Sequence, residues 1–522
     1  MTIKKLRVLT LLFSLVPFCV EAQSSDAGAT MDTASLRMAV QTYPDSLPLH
    51  EQYIKAFVNS IPHITWNNQD SAIELLTNQY KTWMRQFPHS AIIPFAIGDA
   101  FANTESPSAK PYLLKAVELN PRLAKAWMDL SIDADRWGNK RMSTEYLLKA
   151  SKADPDNPDY ASYYAFSFRD SDPGKWRSLV NDIVKHFPKS EAGANGLYWI
   201  AFDSHDVKEK VKIYKQMHTL YPPDKFDWSQ YGMSNYFYLL IKTNPAEALS
   251  LAKEIAGKMT DNDNKKEWEK NVDFAEKINK AQQLIASNKP DDALQVLSGA
   301  TVSHWTGALE TLNLLKAKAM VMNGNVQSAY DSLIVTYAKF PHDKTRETLF
   351  EYGRKLGKDE KRVNADVWEQ CEKTAKQAHP FTLRDYLTND SVSLSDFHGK
   401  TVLLTFWFPG CGPCRGEFPH FQKIVNEFKA KGENIVFLGI NVEPKQNEYV
   451  IPFMKGTGYS FIPLEGNSDW AQKSYGVYGE PTNFLIDGNG KIIFTGFMIQ
   501  DEYEEQMLKL MINSMMDTNH KS

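Results

Sequence analysis

At 522 residues the chain is too long for one ordinary core, so it comprises two or more domains. Hydrophobic residues make up 43% and charged residues 23%, which excludes a disordered or fibrous chain. A formal net charge of −4 gives no sign of a nucleic-acid binder, and four cysteines in so long a chain exclude a disulfide-stapled scaffold.

Residues 1–22 read as an export signal. Lys4, Lys5 and Arg7 supply positive charge, an apolar run extends from Val8 to Val20, and Val20-Glu21-Ala22 offers a cleavage site. The run falls short of the roughly 20 apolar residues of a spanning helix, which favours removal over a retained anchor. Cys19 raises lipidation, but Pro17 and Phe18 stand where a lipobox has small residues. The mature chain is therefore expected in the periplasm or cell envelope, with Cys371, Cys411 and Cys414 as its remaining thiols.

Residues 23–375 are rich in helix formers with apolar spacings of three and four, and no strand alternation is evident after Thr65. Pro88, Pro121, Pro155, Pro188 and Pro222 lie 33 or 34 residues apart, each after an aromatic or polar residue. A proline just past a helix stops it, so this period predicts stacked helical hairpins, an α-solenoid. Leu114-Lys115-Ala116 recurs 34 residues on as Leu148-Lys149-Ala150. The unit Ala124 to Pro155, with Trp127, Leu130, Gly138 and Ala150, resembles a tetratricopeptide repeat, and Trp127 is expected to pack in its core.

Residues 376–522 change character. Ser391 to Leu394 suggests an early strand, and Thr401 to Phe408 and Ile435 to Val442 read as buried strands. Helices are expected from Cys411 towards Lys429, over Asn447 to Gly456 and over Asp469 to Tyr475. A hairpin over Thr482 to Phe497 turns at Asp487-Gly488-Asn489-Gly490, and a last helix spans Asp501 to Met515. The order predicts an α/β domain with a covered central sheet.

Cys411 and Cys414 stand three apart where a buried strand gives way to a helix. The helix N-terminus favours a thiolate on Cys411, which attacks a disulfide in a partner; Cys414, one turn on, resolves the mixed disulfide. Pro413 is tolerated in a first turn that has no N–H partner to lose. A zinc site would need a second ligand pair, and there is no second Cys pair. No metal and no cofactor beyond the Cys411–Cys414 disulfide is expected.

Phe406-Trp407-Phe408-Pro409-Gly410-Cys411-Gly412-Pro413-Cys414 resembles the thioredoxin active-site segment. Pro419 matches the helix-kinking proline of that fold, and Glu480-Pro481-Thr482 resembles its cis-proline loop. The separation of 70 residues between Cys411 and Pro481 is similar to that of the exported TlpA/ResA-like branch, which carries a mid-domain insertion. His379 to Leu383 and Leu394 to Lys400 look like that branch too. The resemblance implies a thioredoxin-like fold over about Ala378 to Asp517, with Glu480, Pro481 and Trp407 meeting substrate. It also exposes departures. Thr405 stands where thioredoxin has a buried Asp, and Glu443, after the next strand, is the candidate proton shuttle in its place. Peroxiredoxin chemistry is disfavoured, because Leu404 and Phe408 occupy positions where those enzymes need Pro and Thr or Ser.

The expectation is an exported thiol–disulfide oxidoreductase that reduces disulfide-containing proteins. It draws electrons from a membrane donor and docks a partner on its helical repeats, with no nucleic acid involved. The alternative is a cell-envelope scaffold or assembly protein whose helical repeats carry the main role. Cys371 is expected to be a packing thiol.

Overall fold

The computed structural model describes residues 32–60 and 69–519; the expected export signal and Cys19 lie outside the described residues. Before Lys376 every regular element among the described residues is helical: nineteen α-helices and one short 3-10 turn. The prolines act as anticipated. Helices Gln69–Gln86, Ala109–Leu119, Lys140–Ala153, Pro173–His186 and Val207–Leu220 each stop two residues before one of the five periodic prolines. Starts are fixed by side chains: Asn139, Asp172, Ser190 and Asp206 each accept a backbone N–H of the following turn.

Each helix packs on the next, and alternate helices such as Ile92–Asn103 and Ala124–Arg136, or Pro158–Phe166 and Glu191–Asp203, also touch. The buried side chains of these stacked helices form one cluster from Leu36 to Tyr146 and a second from Ala165 to Ala319. Trp127 is half-buried against the core and not within it: its indole donates to the Pro121 carbonyl at 2.9 Å and its ring stacks on Tyr146.

The C-terminal domain is built on a six-stranded mixed sheet, comprising β1 (Lys376–Gln377), β4 (Thr401–Trp407), β5 (Ile435–Asn441), β6 (Ile462–Glu465), β7 (Thr482–Ile486) and β8 (Lys491–Thr495). Its order is β1-β8-β7-β4-β5-β6; β2 (Thr382–Arg384) and β3 (Ser391–Ser393) form a separate ribbon. β4 runs parallel to β5 and antiparallel to β7, and all seven of its residues are buried. That burial on both faces explains its unbroken apolar run. The long helix Gly412–Ala430 leaves directly from the end of β4. β6 was not anticipated: Pro463 interrupts its pattern, which an edge strand tolerates because one side of its backbone needs no partner.

The hydrophobic core does not break near residue 375. One cluster joins Leu349, Val363, Val367 and Cys371 of the last helices to Leu403, Leu485, Met511 and Met515 of the C-terminal domain. Cys371 is 1% exposed, its thiol directed at the Ala338 carbonyl, and burial pushes its pKa up to about 12. It is a packing thiol.

The two regions also meet around the start of helix Gly412–Ala430. Arg415 pairs with Asp135 at 2.7 Å, and the Trp137 ring meets Tyr449 edge-on at 4.8 Å. Gly138, at φ +73°, lies so close to the helix Asn447–Thr457 that an added Cβ would fall 2.8 Å from the Pro452 carbonyl oxygen.

Candidate active site

Cys411 and Cys414 form a disulfide with a Cα separation of 5.4 Å. Cys411 is the N-cap of helix Gly412–Ala430, and its Sγ accepts the Cys414 backbone N–H at 3.2 Å. An N–H pointed at sulfur, together with the helix dipole, stabilises negative charge on Cys411 rather than on Cys414. Pro413 occupies the first turn and gives up no hydrogen bond there, and Gly412 completes the turn. Cys414 is fully buried, whereas Cys411, at 3% exposed, lines a cavity of about 1780 Å³. That cavity lies between the C-terminal domain and helices of the N-terminal stack.

The loop before Cys411 is held from both regions. The Gly410 N–H donates to Gln446 Oε1 at 2.7 Å, and the Gln446 amide in turn donates to Glu105, from the helical region. Glu105 also pairs with Arg136 at 3.0 Å.

The peptide bond between Glu480 and Pro481 is cis; both residues are half-buried, and Glu480 lines the cavity that Cys411 lines. Burial, and after it the nearby charge of Glu443, raises the Glu480 carboxyl above its usual range. Glu443 itself is half-buried, and its Oε1 accepts the Lys445 N–H at 3.1 Å within its own turn. The expected role of Trp407 needs correction. Its side chain is fully buried among Phe418, Phe453 and Phe461, so it supports the floor of the site and offers substrate no surface.

One residue of the site was not anticipated. Glu417 is fully buried one turn beyond Cys414, and burial pushes its pKa up to about 8, against the opposing pull of its hydrogen bonds. It accepts the Asn483 amide at 2.9 Å and the Ile499 N–H at 2.6 Å. Asn483 lies directly opposite Thr405 in the β4–β7 register, so their side chains share one face of the sheet. Glu417 thus delivers a carboxyl from the helix to the face on which Thr405 lacks one. Its position was a readable signal. Cys414, Phe418, Phe421, Val425 and Phe428 form the buried stripe of the helix, and Glu417 is a charged residue within it.

Among the described residues, no group of three or more His, Cys, Asp or Glu is placed to hold a metal ion, and no helix is long and apolar enough to cross a membrane.

Residues 373–507 match the family described as Redoxin. The thiol-disulfide oxidoreductase ResA of Geobacillus thermodenitrificans is 36% identical over 143 residues, spanning 26% of this chain and 79% of that protein. ResA of Bacillus subtilis is 34% identical over 130 residues, spanning 24% and 70% respectively. The solved thioredoxin domain of a thiol-disulfide oxidoreductase from Bacteroides vulgatus is 30% identical and covers 26% of this chain and 96% of that one, with a TM-score of 0.23.

Proposed function

Since this chain belongs, through its C-terminal domain, to the ResA-like family of thiol–disulfide oxidoreductases, we propose that it is an exported reductant of protein disulfides that works through Cys411 and Cys414. The observation that carries the mechanism is the N-cap geometry. Cys411 has a backbone N–H aimed at its sulfur and lines a cavity, while Cys414 is sealed beneath it.

In the reduced protein the Cys411 thiolate attacks one sulfur of a substrate disulfide. The substrate's S–S bond breaks, a mixed disulfide forms, and the leaving thiolate takes a proton. Cys414 then loses its proton and attacks Cys411 Sγ. This forms the intramolecular disulfide and releases the second substrate thiolate, which is protonated in turn. Two electrons and two protons pass to the substrate. Glu417, one turn from Cys414, is the carboxyl we assign to relay the Cys414 proton; with its pKa raised to about 8 it is mostly protonated at neutral pH and passes its own proton on as it takes up the thiol's. Glu443, the other candidate for that proton, accepts the Lys445 N–H within its own turn and lies near enough for its charge to raise the Glu480 carboxyl.

The direction of transfer follows from what surrounds Cys411. Gly412 and Pro413 offer no charged side chain, Arg415 is neutralised by Asp135, and Glu480 opposes a thiolate. A strong oxidant needs a specially stabilised reduced form, and beyond the helix N-terminus and its one N–H no unpaired cationic side chain among these neighbours adds to that stabilisation. Recharging by a membrane-bound donor completes the cycle.

The test is insulin reduction together with titration of the Cys411–Cys414 couple against glutathione. The expected potential is nearer thioredoxin's ~−270 mV than the ~−120 mV of DsbA. A midpoint near the latter would reverse the direction and make the protein a disulfide donor.

A further inference from the structure

Resting on that reading, we propose that the helical region forms the second wall of the substrate site, and that the cleft receives an extended, basic polypeptide segment carrying the disulfide. Three observations carry this.

The first is size and enclosure. Sites for small molecules measure about 300–1,000 Å³. The cavity in front of Cys411 is about 1780 Å³, and Cys411 sits recessed within it at 3% exposed. A folded protein surface does not reach a recessed sulfur, whereas an extended strand does.

The second is the wall itself. Tyr160, Tyr163 and Phe202 contribute aromatic surface from the helical region, and Phe408 and Pro413 line the same cavity from the C-terminal domain. The wall is fixed in place. Asp135 holds Arg415, immediately after Cys414, and Glu105 holds Gln446, which binds the loop immediately before Cys411. At the rim, His205 and Glu502 pair at 2.9 Å across the two regions, and both are exposed.

The third is charge. Ten carboxylates line the cavity against seven Lys and Arg residues. Five of those cations, Lys125, Arg136, Arg169, Arg415 and Lys423, already have carboxylate partners, which leaves Lys140 and Lys210. Asp159, Asp170 and Asp501 line the cavity with no ion pair among the described residues, and two of the three belong to the helical region. A cleft with surplus negative charge attracts a cationic segment and repels an acidic one.

The test uses the full-length reduced protein and two disulfide-linked peptides of equal length, one flanked by Lys and one by Glu. The Lys-flanked peptide is expected to show kcat/KM on the order of tenfold higher at low salt, carried by KM and falling at high salt. Asp159→Asn with Asp170→Asn, both exposed and near-isosteric, should cut that preference to about threefold. A folded domain bearing the same Lys-flanked disulfide should be reduced on the order of tenfold more slowly than the peptide. Equal rates for the two peptides, a preference for Glu, a preference untouched by the double variant, or equal rates for peptide and folded domain would each overturn the proposal. If neither the peptides nor hydroxyethyl disulfide is reduced, the reductase reading has failed instead.

Discussion

Glu417 carries a carboxyl into a helix stripe that otherwise buries Cys414, Phe418 and Phe421, and the consequence is measurable. Its pKa stands at about 8 in the folded protein against an ordinary 4.5. Below the lower value both states are neutral and burial carries no ionisation penalty. As pH rises towards 8 the unfolded chain ionises and the folded one does not, so stability falls by about 1.4 kcal/mol per pH unit. Glu417→Gln removes that loss, so its stability advantage over the parent should grow from pH 5 to pH 8 in thermal unfolding. An advantage equal at both pH values would show that Glu417 is ionised throughout. At the cysteines, brief alkylation of the reduced protein should label Cys411 well before Cys414, because only Cys411 lines the cavity; faster labelling of Cys414 would exchange their roles. The Cys pair is legible in the sequence because it stands where a buried strand gives way to a helix, and the cis-proline loop through the resemblance of Glu480-Pro481-Thr482 to that of thioredoxin. Trp407 was misplaced because a motif gives neighbours along the chain and not depth: next to an exposed loop, it points into the core.

Elements were legible where periodicity and punctuation agreed, as at the five helices that stop before their prolines. β6 was not, since Pro463 breaks its pattern and only its place at the sheet edge excuses it. Gly138 shows the same limit. Its left-handed turn fits the repeat, but its approach to Pro452 and Gly456 reflects long-range packing that no local pattern records. Gly138→Ala combines a positive φ with a collision against backbone that has no room to yield, and should destabilise the protein by about 1–3 kcal/mol. Hydrogen exchange should quicken in the helix Asn447–Thr457 more than in Lys140–Ala153. A uniform effect, or none, would show that the contact does not hold the two regions together.

At the scale of the molecule, a change of composition near residue 376 marks a change of secondary structure, yet the core runs straight across it. A chain begun at Lys376 would expose the faces that meet Leu349, Val363, Val367 and Cys371. Each such side chain contributes about 1.5–3 kcal/mol when fully buried, a large loss against a typical ~5–15 kcal/mol for a whole domain. That fragment should melt at least 10 °C lower and bind a hydrophobic dye, while one begun at Asp343, ahead of the last two helices, should recover most of the loss. Matching melting temperatures would show that the sheet domain closes its own core. The enclosure of Cys411 has a further effect. In the oxidising compartment proposed for this protein, a dithiol is threatened by every oxidant that reaches it, and potential alone gives no protection. A sulfur at the bottom of a cleft is shielded by access, because bulky oxidants collide with the rim while a threaded strand passes. On the proposed reductase reading, the protein's electrons are thereby reserved by shape, and its working lifetime between rechargings is set by what the cleft admits.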